Sequence, residues 1–211
     1  MITMLEQLWP DPEILQGEGN EDHPIRKVTR QIALDSAFWT PERAANVAEL
    51  FDGLAPGWNA RFSDGRMVSL EDALERGELP TRGAVVELGS GTGFGTKVLS
   101  DRFGPVVAMD LAFEMLLLAP AQSGARTQAD ASQLPLADNS VDVLVAVNMF
   151  LFPQEFARVL APQGSLVWVS SLAERTPIYL SAADVVDALP GTWIVRASRA
   201  AGGSWCVARR G

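Results

Sequence analysis

With one cysteine and one histidine in 211 residues, several classes of protein drop out at once. Cys206 has no partner for an intramolecular disulfide, and neither residue type recurs at a metal-ligand spacing, so a disulfide framework and a metal site are set aside. Basic residues are scarce too: 17 Lys and Arg stand against 26 Asp and Glu, a net charge of −9. Affinity for nucleic acid rests on Lys and Arg at phosphates, so DNA or RNA is not expected as a partner. The most apolar run, residues 141 to 152, is interrupted by Asp142 and Asn148 and is too short to span a bilayer. Met1-Ile2-Thr3-Met4-Leu5-Glu6 shows neither the basic start nor the long apolar stretch of a signal peptide. A reducing, cytoplasmic setting without a membrane partner is expected.

What the chain does contain is one unusual unit, Val85-Val86-Glu87-Leu88-Gly89-Ser90-Gly91-Thr92-Gly93-Phe94-Gly95-Thr96-Lys97-Val98-Leu99. An apolar run ending in an acid reads as a buried parallel strand. Four alternating glycines read as a tight turn, and helical spacing resumes at Thr96. Glycines let backbone take positive φ or lie directly against a ligand, and the following helix begins with free N–H groups. The dinucleotide fingerprint G-x-G-x-x-G fails in both registers, because Phe94 and Thr96 stand where the third glycine belongs. A phosphate-binding G-x-x-x-x-G-K-[ST] fails as well, since Val98 follows Lys97.

The pattern that fits is E-x-G-x-G-x-G, carried by Glu87, Gly89, Gly91 and Gly93. It resembles the first motif of the class I S-adenosylmethionine-dependent methyltransferases. Val106-Val107-Ala108-Met109-Asp110 is similar to their second strand with its ribose-binding acid. Gln128-Ala129-Asp130-Ala131, then Leu134-Pro135-Leu136 and Asp138-Asn139-Ser140-Val141-Asp142, resemble the adenine-binding stretch and fourth strand of the small-molecule branch. Arg158 to Leu166 resembles its next helix, turn and strand. The match runs in order over residues 83 to 171.

A composition 47% hydrophobic and 20% charged suits a single α/β domain with a small appendage. Strands are expected near 84 to 88, 105 to 109, 125 to 129, 141 to 147 and 164 to 170, and helices near 94 to 103, 111 to 119, 153 to 160 and 181 to 189. This alternation implies a doubly wound, mostly parallel sheet. Trp193-Ile194-Val195 and Trp205-Cys206-Val207-Ala208, separated by Gly202-Gly203, read as a closing antiparallel hairpin, bringing the sheet to seven strands. Ahead of it, Thr40-Pro41-Glu42 starts a helix that Gly53 and Ala55-Pro56-Gly57 stop, and a second helix runs from Ser69 to Gly77. Residues 1 to 39 follow no regular pattern, broken by Trp9-Pro10-Asp11-Pro12 and Gly17-Glu18-Gly19-Asn20. Their Leu5, Leu8, Trp9, Ile14, Leu15, Phe38 and Trp39 are nonetheless too apolar for a tail in water. The resemblance implies that residues 1 to 80 form a lid over the S-adenosylmethionine-binding domain of residues 81 to 211.

In an open parallel sheet, ligands sit beyond the carboxyl ends of the strands, where strand order reverses. The resemblance places Glu87, Gly89, Ser90, Gly91, Gly93, Asp110, Leu111, Met115, Asp130, Ala131 and Asn148 at that edge as cofactor contacts. Asp110 would accept both ribose hydroxyls, or cap the next helix. Asp130 would accept the exocyclic amine of adenine while the Ala131 N–H meets a ring nitrogen; otherwise it is a turn acid. Glu87 would help hold the cationic amino-acid end. Leu111 and Met115 flank the adenine or simply pack in the core. Asn148 borders either cofactor or substrate. Trp39, Trp58 and Phe62 form an aromatic substrate wall or a lid-to-core contact. His23 is the one histidine available as a general base, and equally a surface residue. Cys206, beside Trp205 in a strand, reads as core.

The reaction the resemblance implies is transfer of a methyl group to a small-molecule acceptor. A sulfonium methyl is already electrophilic, so a protein need only align a nucleophile and exclude water. The other readings are an NAD(P)-dependent oxidoreductase and a non-catalytic S-adenosylmethionine-binding partner. An Asn-Pro-Pro-Tyr motif and the acid cluster of metal-dependent catechol enzymes are absent from the sequence. Acceptor type and oligomeric state are left open.

Overall fold

The computed structural model describes residues 1–13, 23–61, 65–120 and 124–211. Ile14, Leu15, the Gly17 to Asn20 break and Phe62 lie outside the described residues. In chain order the elements are β1 (Ile2–Met4), α1 (Pro24–Leu34), α2 (Pro41–Leu54), α3 (Val68–Arg76), β2 (Val85–Leu88), α4 (Phe94–Phe103), β3 (Val107–Asp110) and α5 (Phe113–Leu118). They continue with β4 (Ala125–Gln128), β5 (Val141–Val147), α6 (Pro153–Val159), β6 (Leu160–Ser170), α7 (Ala182–Ala188), β7 (Trp193–Ala200) and β8 (Gly203–Arg210).

The eight strands form one sheet in the order β1-β7-β8-β6-β5-β2-β3-β4, one more strand than the seven expected. The extra one is β1, which pairs parallel with β7 through Ile2 and Val195, Thr3 and Arg196, Met4 and Ala197. Three residues carry no legible period, and their partner lies some 190 positions away. Only β8 runs against its neighbours, β6 and β7. The hairpin turn is Ala201-Gly202, both at positive φ, rather than the expected Gly202-Gly203. Two positive-φ residues make the tight loop whose twist suits paired strands.

Period-two alternation along β5 sends side chains to opposite layers. Val143 and Val145 join Leu70, Leu74, Leu99, Trp205 and Val207 beneath α3 and α4. Leu144 and Ala146 join Ile32, Phe156, Trp168, Val185 and Cys206 beneath α1, α6 and α7. Both faces are therefore covered, as a doubly wound sheet requires.

Local chemistry sets the helix starts. Thr40 caps α2 by accepting the Arg43 N–H at 3.3 Å, with Pro41 behind it. Ser181 and Asp184 form a capping box on α7. Gly53 does not stop α2, which continues to Leu54 before a 3-10 turn at Ala55–Gly57. Ser69 does not cap α3, which begins one residue earlier; its buried hydroxyl donates to the Ala200 carbonyl at 2.7 Å. The helix α1 was not expected. His23 begins it by accepting the Ile25 N–H on Nδ1 at 3.2 Å, and Pro24 takes the first helical position.

Candidate cofactor and acceptor site

Strand order reverses between β2 and β5, where β2-β3-β4 lead one way and β5-β6 the other. At the carboxyl ends of these strands opens a cavity of about 360 Å³, within the range of small-molecule sites. Helices α1 and α2 and the segments flanking them form its other wall, through Ile25, Trp39, Val47, Phe51, Trp58 and Arg66.

The glycine turn forms the floor. Gly89, Gly91 and Gly93 have φ of +65°, +54° and +86°, a backbone that side-chain-bearing residues seldom adopt. A Cβ on Gly91 would face only Trp58 Nε1, 3.6 Å away, so main chain lies bare toward the cavity. The fourth glycine, Gly95, is inside the first turn of α4 rather than in the turn before it. There a side chain would overlap the Glu87 carboxylate.

Glu87 is 2% exposed and lines the cavity, where the buried Thr96 hydroxyl donates to Oε2. Burial pushes its carboxyl up to about 8; the Thr96 hydroxyl opposes that shift and the nearby Asp110 charge adds to it. Asp110 ends β3, with Oδ2 accepting the Gly91 N–H at 2.7 Å and Oδ1 the Ala112 N–H at 2.8 Å. Burial raises its pKa, and the backbone donors at Ala112 and Gly91 offset part of the rise. With the Leu111 N–H also acting on this carboxylate, at least one lone pair remains for a further donor. Asp130, after β4, accepts the Trp39 indole N–H across both oxygens at 3.1 and 2.9 Å, and the Ser132 N–H at 2.8 Å.

Ser90 is 7% exposed on the cavity wall, and its hydroxyl finds no hydrogen-bond partner among the described residues. An orphaned buried hydroxyl costs free energy unless something in the cavity meets it. Asn148, at φ +51° past β5, ties that strand to β6: its amide donates to Ser171 Oγ at 2.9 Å and its carbonyl oxygen accepts the Ser171 N–H at 2.8 Å. Met115 is buried with Ala55 and Ala112 against Phe51, Leu54 and Trp58, and Leu111 and Ala131 also line the cavity.

The cavity thus gathers Glu87, Gly89, Ser90, Gly91, Asp110, Leu111, Met115, Asp130, Ala131, Asn148, Trp39 and Trp58. Gly93 is not on its wall and instead begins α4, donating its N–H to the Ser90 carbonyl at 2.9 Å. His23 is not on the wall either. The structure adds Met149, Phe150 and Phe152, which follow β5 in the apolar run noticed in the sequence, and Arg66, which no motif marks. Burial lowers the Arg66 pKa. No group of three or more His, Cys, Asp or Glu among the described residues is placed to hold a metal ion. No helix among them is long and apolar enough to cross a membrane.

A mostly parallel doubly wound sheet with a bare glycine floor at its reversal point and a C-terminal antiparallel hairpin is a Rossmann-like architecture. Residues 86–168 match the family model of the methyltransferase domain. Over 136 residues the chain is 32% identical to a malonyl-[acyl-carrier protein] O-methyltransferase of Marinomonas sp. (strain MWYL1), covering 58% of this chain and 50% of that one. Over 112 residues it is 35% identical to the biotin biosynthesis bifunctional protein BioHC of Cellvibrio japonicus (strain Ueda107), covering 48% and 22%. The chain therefore spans half or less of the length of these curated relatives. The solved DhpI-SAH complex shares the fold at TM-score 0.65 and 22% identity, over 80% of this chain and 97% of that one. A SAM-dependent methyltransferase from Aquifex aeolicus does so at TM-score 0.58 and 18% identity, over 81% and 98%.

Proposed function

We propose that the chain transfers a methyl group from S-adenosylmethionine to a small acceptor, with residues 1 to 80 as lid and residues 81 to 211 as the cofactor-binding domain. The observation that carries this reading is the meeting of Glu87, Asp110 and Asp130 with the bare Gly91 backbone around one cavity at the sheet's reversal point. Asp110 suits a ribose diol, Asp130 an exocyclic amine, and Glu87 a cationic amino-acid end. The unmet Ser90 hydroxyl calls for a polar ligand in the same place. Charge also weighs against a dinucleotide. Arg66 is the one cationic side chain on the described wall, against Asp110 and Asp130, so a pyrophosphate would find little cationic support there.

When bound, the cofactor supplies an electrophilic methyl on a positive sulfur. The chain's residues bind, orient and dry the site. Phe150, Phe152 and Ile178 make an apolar wall that excludes water and lowers the local dielectric, which favours loss of charge at sulfur. Asn148 and Ser171 fix the ends of β5 and β6 against one another, so the wall beside the acceptor is rigid.

No His, Lys, Cys or Tyr lines the cavity among the described residues, so none of these is placed as a general base. A carboxylate acceptor is ionised at neutral pH and would need no general base. A carboxylate also agrees with the relative named as a malonyl-[acyl-carrier protein] O-methyltransferase. The test is transfer of labelled methyl from S-adenosylmethionine to a panel of carboxylates, malonyl thioesters, thiols, amines and alcohols. Labelling of a carboxylate or thioester acid supports the reading. Labelling of alcohols alone contradicts the acceptor class, and no labelling of any class contradicts the activity.

A further inference from the structure

Among the contacts on the cavity wall, one joins the N-terminal segment to a cofactor acid directly. The Trp39 indole N–H lies across both oxygens of Asp130, at 3.1 and 2.9 Å. Its ring is held on two sides, tilted against Phe150 at 5.6 Å and edge-on to Phe152 at 5.3 Å. Its backbone is held as well, by a bond from its N–H to the Ser36 carbonyl at 3.2 Å and by the α2 cap at Thr40 that follows. An indole fixed this way has little freedom, and whatever it bonds is fixed with it.

Asp130 Oδ1 receives two donors, Trp39 and Ser132, whereas Oδ2 receives only Trp39. With two lone pairs on each oxygen, the spare acceptor capacity lies on Oδ2. A carboxylate clamped with one acceptor free discriminates at a base edge: it welcomes an amine and repels a carbonyl. A carboxylate free to turn would expose either oxygen to water and discriminate less.

We infer that Trp39 is a specificity-determining positioning residue, which clamps Asp130 so that the site selects a purine bearing an exocyclic amine, adenine, over one bearing a carbonyl. This rests on the assignment of Asp130 to the adenine amine in the proposed function. Trp39 thereby moves from the acceptor wall to the base-reading end of the cavity.

The experiment is equilibrium titration of the full chain with S-adenosylhomocysteine and with its inosine counterpart, S-inosylhomocysteine. Wild type, Trp39→Phe, Asp130→Asn and the double variant are compared. Phe keeps an aromatic ring against Phe150 and Phe152 but removes the N–H. Wild type is expected to prefer the adenine ligand, and Trp39→Phe to cut that preference about tenfold by weakening the adenine ligand alone, the size of one hydrogen bond to a charged group. In the Asp130→Asn background the same change should have no further effect on the preference. Phe150→Leu, which loosens the indole without touching its N–H, should lower the preference partway, and it serves should Trp39→Phe fail to fold. An unchanged preference in Trp39→Phe and Phe150→Leu, or tighter binding of the adenine ligand by Trp39→Phe, overturns the inference. Should wild type bind neither ligand, the proposed function falls and this inference with it. Should wild type bind and discriminate while the variants do likewise, only this inference falls.

Discussion

Gly95 leaves the Glu87 carboxylate its place: a Cβ on Gly95, in the first turn of α4, would overlap Oε1 of the buried acid. The acid therefore sits where it does because a helix residue beside it has no side chain. Gly95→Ala should drive the carboxylate away from Thr96 and cost about 1–3 kcal/mol, the usual range for overpacking. Cofactor affinity should fall with it. Gly53, inside α2 with nothing within 4 Å of an added Cβ, is the contrasting site. Gly53→Ala should stabilise by about 0.5–1 kcal/mol. Thermal unfolding of the two variants checks both signs.

Glu87 also makes stability depend on pH. Its pKa rises from 4.5 to about 8 on folding, so between these values the native state keeps a proton that the unfolded chain has released. Its contribution is complete below pH 4.5 and is lost as pH climbs toward 8, by up to about 1.4 kcal/mol per unit. Asp110, also raised, acts with the same sign in the acidic part of the range. Glu87→Gln should flatten the profile, seen as a smaller change in denaturation midpoint between pH 5 and 8 than in wild type. A cationic ligand favours the ionised acid, so its binding should release protons near pH 7, a signal in calorimetry with buffers of different ionisation enthalpy. Identical pH profiles for wild type and Glu87→Gln would contradict this.

The unmet Ser90 hydroxyl predicts opposite effects in the two ligation states. Ser90→Ala removes a buried group that has no partner, so the ligand-free protein should be as stable as wild type or up to about 1 kcal/mol more so. Affinity for S-adenosylhomocysteine should drop roughly tenfold, because a hydrogen bond made only in the complex is lost. Loss of stability without loss of affinity would place the hydroxyl in the fold rather than in the site.

Far from the cavity, Asp72 is 1% exposed on α3 and binds two partners, the Arg76 guanidinium at 2.8 and 2.6 Å and the Trp205 indole N–H at 2.6 Å. Asp72→Ala leaves a buried N–H and a guanidinium without their acceptor and should cost about 3–5 kcal/mol. Chemical denaturation checks the size. The fraction that folds should bind cofactor as wild type does.

What the sequence disclosed and what it hid follow from the range of the interactions concerned. The β2-turn-α4 unit, the Thr40 start of α2 and the capping box on α7 are all determined within a few residues, and they stand where their patterns place them. Asp110 and Asp130 were legible because strand ends in this fold face one edge. The helix α1 was not, because its inward face includes Arg26 and Thr29, and only the folded chain supplies the Glu174 and Thr176 carbonyls that receive the Arg26 guanidinium. The clamp of Trp39 on Asp130 spans 91 positions, and no local pattern announces it. Arg66 reached the cavity wall for the same reason, through the packing of a segment whose sequence has no period.

The cavity at the β2–β5 reversal is proposed to hold S-adenosylmethionine by bare backbone and strand-end acids. Calorimetric titration of S-adenosylmethionine into wild type, Asp110→Ala and Gly91→Val tests it most directly. One site per chain in wild type, with affinity reduced at least tenfold in both variants while each still unfolds cooperatively, is the predicted result. No heat of binding in wild type, or equal affinity in all three proteins, would contradict it.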